Sequence, residues 1–209
     1  MTSVAFVFPG QGSQSVGMGR DLAEGSAAAA AVFAAADQAL GEPVSALAWD
    51  GPADLLDLTE HAQPAILATS IAILAGLRER FAAEGLAAPT PVFAAGHSMG
   101  QYSALVAAGA LSLQDGVRLV RERGRLMQAS GRGRDGAMAA LIGLDDARLP
   151  ELVAGASQHG VFDVANRNDR VRSSFPANAR PSRPGPSWQS RWAQSGPSSC
   201  PSPWPLTRR

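Results

Sequence analysis

The chain has 209 residues, 45% of them hydrophobic, and 18 basic residues against 18 acidic ones. That is enough for one domain, or for one domain and part of another, and the single cysteine, Cys200, excludes a disulfide framework and suits a reducing, cytoplasmic setting. The neutrality conceals an asymmetry: through Asp169 eleven arginines face eighteen acids, a net charge of −7, whereas 170–209 holds seven arginines and no acid. An acidic body gives nucleic acid no electrostatic footing. The apolar run 65–77 is too short to span a bilayer, and 4–8 has no basic lead-in for a secretory signal, so no membrane association is expected.

In chain order, 4–8 reads as a buried strand that runs into the loop Pro9-Gly10-Gln11-Gly12-Ser13-Gln14. A helix is predicted over 18–39, through the alanine run 27–36. A second, over 61–81, opens with His61-Ala62-Gln63-Pro64-Ala65. A strand at 92–95 meets Gly96-His97-Ser98-Met99-Gly100, and helices follow at 99–110 and 113–129. Beyond them come a strand at 137–143, a helix at 145–157 opened by Asp145-Asp146, and a strand at 161–165. Strands alternating with helices imply an α/β fold with a parallel sheet.

The serine between two glycines carries the chemistry. Flanking glycines let a strand turn sharply into a helix without a Cβ clash, which exposes the Ser98 hydroxyl as a nucleophile. The Met99 amide is left free at the helix N-terminus, where it favours a developing oxyanion. His97 neighbours Ser98 on the same turn, so its side chain points elsewhere, and we read it as a structural residue of the elbow. Downstream, Arg118, Arg121, Arg123 and Arg125 crowd one helix. Solvated arginine is the default, and one turned inward needs an anionic partner.

FPGQGSQ at 8–14, QPA at 63–65, GHSMGQYSAL at 96–105, RGRLMQ at 123–128 and GAMAALIGL at 136–144 together resemble the malonyl-CoA:acyl-carrier-protein transacylases, in order and spacing, over residues 1 to about 168. The resemblance implies an α/β-hydrolase-like large subdomain at 1–129 and part of a small ferredoxin-like subdomain at 130–168. It makes Ser98 the acyl acceptor, the Gln11 and Met99 amides the oxyanion donors, and Arg123 the clamp on the malonyl carboxylate. It also implies malonyl-CoA and acyl carrier protein as partners, with no cofactor and no metal. Other readings of the same residues are a serine hydrolase and a non-catalytic fragment that binds coenzyme A or carrier protein.

The family also carries a histidine far downstream of its serine, in a segment resembling SAPFH, and a glutamine-bearing stretch near its C-terminus. The histidines here are His61, His97 and His159, and none falls in that motif. His159 reads as a solvated loop residue. Beyond Asn168 the similarity stops, and 170–209 carries eight prolines, nine serines and three tryptophans, with Val171 and Leu206 its only branched aliphatic residues. With lysine absent throughout, this reads as a frame change in a GC-rich gene, the alternative being a basic arm for an acidic partner. Residues 169–209 are expected to be disordered. The chain as written is expected to be nearly inactive.

Overall fold

The structure is a computed structural model that describes residues 4–131, 137–142, 144–169 and 172–178. The chain divides into two compact units, Met1–Ser130 and Gly131–Arg209.

In the first unit, β1 (Ala5–Phe8) is followed by α1 (Arg20–Gly25), α2 (Ala27–Leu40), α3 (Val44–Asp50), α4 (Ala53–Leu56) and α5 (Thr59–Ala83). Then come β2 (Phe93–Gly96), α6 (Gly100–Ala107) and α7 (Leu113–Ser130). The two strands pair in parallel, Ala5 opposite Phe93 and Phe8 opposite Gly96. Their C-terminal ends therefore lie side by side, and the loops that leave them, 9–14 and 97–99, emerge at the same end of the sheet. That is where open α/β sheets place their sites.

The core forms where α2, α5 and α7 meet. Ala29, Phe33 and Ala36 follow helical spacing on α2 and bury one stripe. They pack with Ile66, Leu67, Ala68 and Ala72 of α5, with Val117 and Val120 of α7, and with Met99. Phe33 is 1% exposed and meets Trp49 edge to face, with ring centroids 5.1 Å apart. Truncating Phe33 to alanine leaves a void that this close-packed centre cannot fill. We expect the unfolding free energy to fall by about 3–5 kcal/mol, read as a lower urea midpoint at unchanged slope. A loss below about 1 kcal/mol would place the core elsewhere.

The helix expected over 18–39 is two helices. Ser26 has extended backbone, and its hydroxyl accepts from the Ala29 amide at 3.1 Å, capping α2 and ending α1 before it. The short helices α3 and α4 have no counterpart in the sequence reading. Each follows a proline, Pro43 or Pro52, whose fixed φ suits a helix start.

The second unit contains β3 (Ala137–Ile142), a 3₁₀ turn (Asp146–Arg148), α8 (Leu149–Ser157), β4 (Val161–Phe162), β5 (Asn166–Asp169) and β6 (Arg172–Asn178). β6 lies between β3 and β4 and is antiparallel to both, and β5 also pairs with it. β3 and β4 thus run parallel with α8 between them in sequence and β6 between them in space, a split β-α-β arrangement. One expectation needs correction: the last predicted strand covers only Val161–Phe162. Within the tail that begins at 169, Arg172–Asn178 forms β6. The sparse aliphatic content of this segment argues against a core, but ladder pairing uses main-chain groups that any residue except proline supplies. The remainder of that tail, 179–209, lies outside the described residues.

Candidate active site

The turn after β2 is built on two glycines with no room to spare. A Cβ on Gly96 would lie 2.0 Å from the Gly100 carbonyl, and one on Gly100 would lie 2.5 Å from the Phe8 carbonyl oxygen. Ser98, between them, has φ 53, the one non-glycine residue with positive φ among the described residues. Such a conformation costs of order 1–3 kcal/mol and persists only where its surroundings over-determine it. Here they do: the Gly100 amide donates to the His97 carbonyl at 2.8 Å and the Gln101 amide to the Ser98 carbonyl at 3.3 Å.

The loop after β1 lies against this turn. A Cβ on Gly10 would come within 2.9 Å of the His97 carbonyl oxygen, so the two backbones nearly touch. Side chains hold the loop from the far side: Gln11 Nε2 donates to Thr59 Oγ1 at 3.1 Å, and Gln14 Nε2 donates to Asp57 Oδ1 at 2.9 Å. The Gly12 amide is spent on Gln14 Oε1 at 2.8 Å. No described hydrogen bond uses the amides of Gly10, Ser13 or Ser98, nor those of Gln11 and Met99. The last two are the amides that the sequence singles out as oxyanion donors.

α7 supplies the cation. Arg123 Nη2 donates to Ser98 Oγ at 2.9 Å, and Nη1 donates to Gln63 Oε1 at 2.9 Å. The reach depends on a neighbour. A Cβ on Gly124 would lie 2.5 Å from the Thr59 carbonyl oxygen, so α5 and α7 approach to backbone contact one residue from Arg123. Gln63 is fully buried, and its amide nitrogen meets Met127 Sδ at 3.5 Å. In the sequence Gln63 stands out only as part of a motif. A polar amide in an apolar helix, one residue before a proline, is the available signal, because such a group, once buried, must be satisfied from inside.

The other arginines sort differently. Arg118 and Arg125 are exposed, the first bonding the Ala39 carbonyl and the second Glu122. Arg121 also turns inward and has its anion, Glu42, while its Nη1 donates to His61 Nδ1 at 3.0 Å. Burial holds the Arg121 pKa below its ordinary value. Two arginines are therefore inward where one was considered. Arg123 differs in that its described partners are both neutral. His97 is exposed and makes no described hydrogen bond to Ser98, and His159 is exposed at the end of α8. Among the described residues no group of three or more His, Cys, Asp or Glu could hold a metal, and no helix is long and apolar enough to cross a membrane.

A strained serine at a strand-to-helix turn, with spare amides beside it, is an arrangement that can attack a carbonyl, and the chain belongs to the acyl transferase domain family, whose model matches residues 5–180. The match passes the expected end near 168 and takes in β6. Within the family, the chain is 47% identical over 169 residues to the malonyl CoA-acyl carrier protein transacylase of Bacillus subtilis, covering 80% of this chain and 51% of that protein. Its structure is similar to that of the acyl-carrier-protein S-malonyltransferase from Bartonella henselae, with TM-score 0.74, 43% identity, and coverage of 84% of this chain and 55% of that one. A malonyl-transacylase solved in complex with a type II polyketide acyl-carrier protein matches at TM-score 0.73 and 36% identity, over 84% of this chain and 55% of that one. The chain thus spans about half the length of the relatives it matches.

Proposed function

We propose that the chain carries the nucleophile, the oxyanion donors and the carboxylate seat for moving a malonyl group from malonyl-CoA to the phosphopantetheine thiol of acyl carrier protein, in fatty-acid synthesis in the cytoplasm. The observation that carries this reading is Arg123: a half-buried guanidinium with neutral partners, held 2.9 Å from Ser98 Oγ. A guanidinium so placed lacks an anion, and a planar carboxylate on the acyl group supplies one in bidentate geometry. An acetyl group would leave it unpaired, which gives selectivity.

In the first half-reaction Ser98 Oγ attacks the thioester carbonyl carbon. The amides of Gln11 and Met99 receive the oxyanion, the C–S bond breaks, and coenzyme A leaves as its thiol. The carrier-protein thiol reverses these steps on the seryl ester. Arg123 has no lone pair to take the Ser98 proton. The proton acceptor is therefore a group other than the one that now holds Oγ. The carrier protein as partner is supported by the relatives' names and by the solved transacylase–carrier-protein complex. A plain serine hydrolase is less well supported, because it has no use for the Arg123–Gln63 pair.

The test is to incubate the chain with malonyl-CoA or acetyl-CoA, digest it, and map the acyl adduct by mass spectrometry. We expect a malonyl ester on Ser98 and much less acetyl ester. Equal labelling by the two thioesters, or an adduct on another residue, would overturn the reading.

A further inference from the structure

The helices α5 and α7 meet without side chains between them. A Cβ on Gly124 would lie 2.5 Å from the Thr59 carbonyl oxygen and 2.7 Å from Glu60 Cα. With no flexible side chain to absorb a shift, a change in the angle of this crossing passes directly to the residues on either flank.

Each flank carries an arginine bond. On one, Arg123 Nη1 donates to Gln63 Oε1; on the other, Arg121 Nη1 donates to His61 Nδ1 at 3.0 Å. Both bonds join a residue of α7 to the one 60 positions earlier on α5. Two residues along a helix are about 200° apart around its axis, so the pairs leave each helix on opposite sides of the contact. The Arg123 pair faces Ser98. The Arg121 pair faces a cavity of about 330 Å³ lined by Glu42, Leu47, Asp50 and Leu55 among others.

The groups around that cavity account for the charge of Arg121. Glu42, in the turn after α2, pairs with it, and Asp50 of α3 is paired with Arg20. The charged groups that face His61 from neighbouring elements are therefore Arg121 of α7 together with Glu42 and Asp50, while α4 contributes Leu55. Turning a guanidinium inward is unfavourable unless its bonds offset the lost water, and the Arg121 side chain is only 16% exposed. Its bonds tie α7, α5 and the turn after α2 together at one flank of the crossing.

We infer that His61 and Arg121 are positioning residues: by fixing one flank of the α5–α7 crossing, they hold Arg123, on the other flank, within reach of Ser98 and of the acyl carboxylate. The inference rests on the transacylase reading for the substrate and on the geometry for the coupling. Arg121 can only donate, so Nδ1 is the acceptor and the neutral ring carries its proton on Nε2. A doubly protonated ring has no lone pair and sets a second cation against Arg121. Preference for malonyl over acetyl groups therefore falls as acid protonates His61. The ratio isolates this effect, because both thioesters use the same serine and the same proton acceptor.

The experiment exposes the full chain to equal amounts of malonyl-CoA and acetyl-CoA and measures the ratio of the two esters on Ser98, from about pH 5.5 to about pH 8.5. A second measurement, independent of acylation, follows exchange of the Arg123 guanidinium protons with water by nuclear magnetic resonance, the signal being assigned by its loss in Arg123→Lys. We expect the wild-type ratio to rise about tenfold across this range. His61→Leu should hold the ratio at its acid value throughout and speed Arg123 exchange about tenfold or more. His61→Asn, whose Oδ1 takes the place of Nδ1 and does not titrate, should keep the high ratio at every pH. Lost stability alone does not mimic this, because an unfolded chain labels with neither thioester and leaves the ratio in the folded fraction unchanged. A His61→Leu chain that keeps the wild-type ratio overturns the inference, as does a pH dependence that survives in His61→Asn. The two readings fail separately. If wild type takes both thioesters equally while Arg123 exchange responds to His61→Leu and recovers in His61→Asn, the coupling stands and the malonyl assignment falls. If wild type selects malonyl and His61→Leu does so equally at every pH, the assignment stands and the coupling falls. Exchange alone decides the coupling if Ser98 takes neither thioester.

Discussion

Replacing Arg123 with alanine should reduce malonyl labelling of Ser98 by roughly a hundredfold while leaving acetyl labelling unchanged or raised. The size follows from the lost interaction: a charge-assisted bidentate pair contributes about 3 kcal/mol, and each 1.4 kcal/mol is about a factor of ten. Acetyl transfer loses nothing at that position and gains a hydroxyl freed from its bond to Nη2. The measurement is the ratio of malonyl to acetyl ester on Ser98 after timed incubation, in wild type and variant. Arg123→Lys sharpens the result, because a lysine keeps the charge but offers no planar fork and should recover only part of the selectivity. If Arg123→Ala preserved the original ratio, the carboxylate would be held elsewhere, and Arg121, already paired with Glu42, would be the next residue to vary.

Gly96→Ala should cost the first unit about 4 kcal/mol or more, enough to leave little folded chain. The added methyl would lie 2.0 Å from the Gly100 carbonyl, and backbone atoms, unlike a flexible side-chain end, have nowhere to go. Relief requires opening the turn, which removes the positive φ of Ser98 and withdraws the helix start from the loop after β1. Gly25→Ala is the contrast. Nothing lies within 4 Å of the place its methyl would take, and alanine in a helix is favoured over glycine by about 0.5–1 kcal/mol. Urea denaturation of the pair should show opposite shifts of midpoint. A mild effect of Gly96→Ala would mean that the turn is looser than its contacts indicate.

What the sequence disclosed was local chemistry. The elbow was legible because two glycines around a serine, after an apolar run and before an alanine-rich one, admit few backbone paths. The parallel pairing of β1 with β2 followed from strands alternating with helices. Arg123 entered through its motif, and the geometry adds what no motif carries: its hydrogen bond to Ser98 and its dependence on Gln63. Long-range placement was not legible. Arg121 and Arg123 are two residues apart on one helix, yet one meets Glu42 and the other Ser98, a distinction made by α5 and the segment before α3 rather than by α7. The break at Ser26 did leave a mark, Gly25-Ser26 ahead of the alanine run, but the apolar pattern over 18–39 overrode it, and the cap decides. β6 was missed because ladder pairing depends on the neighbouring strand and leaves little mark on composition.

The closeness of α5 and α7 at Gly124 has a consequence for how the site could be retuned. The guanidinium reaches the serine because a methyl group is absent at the next position, where the opposing carbonyl of Thr59 takes the space. On the proposed reading, interhelical spacing sets the gap between Ser98 and Arg123 into which an acyl chain would have to fit. Because the atoms that a methyl at 124 would meet are the backbone of Thr59 and Glu60, even alanine there has to part the two helices, and the separation of Arg123 from Ser98 would change in one coarse step.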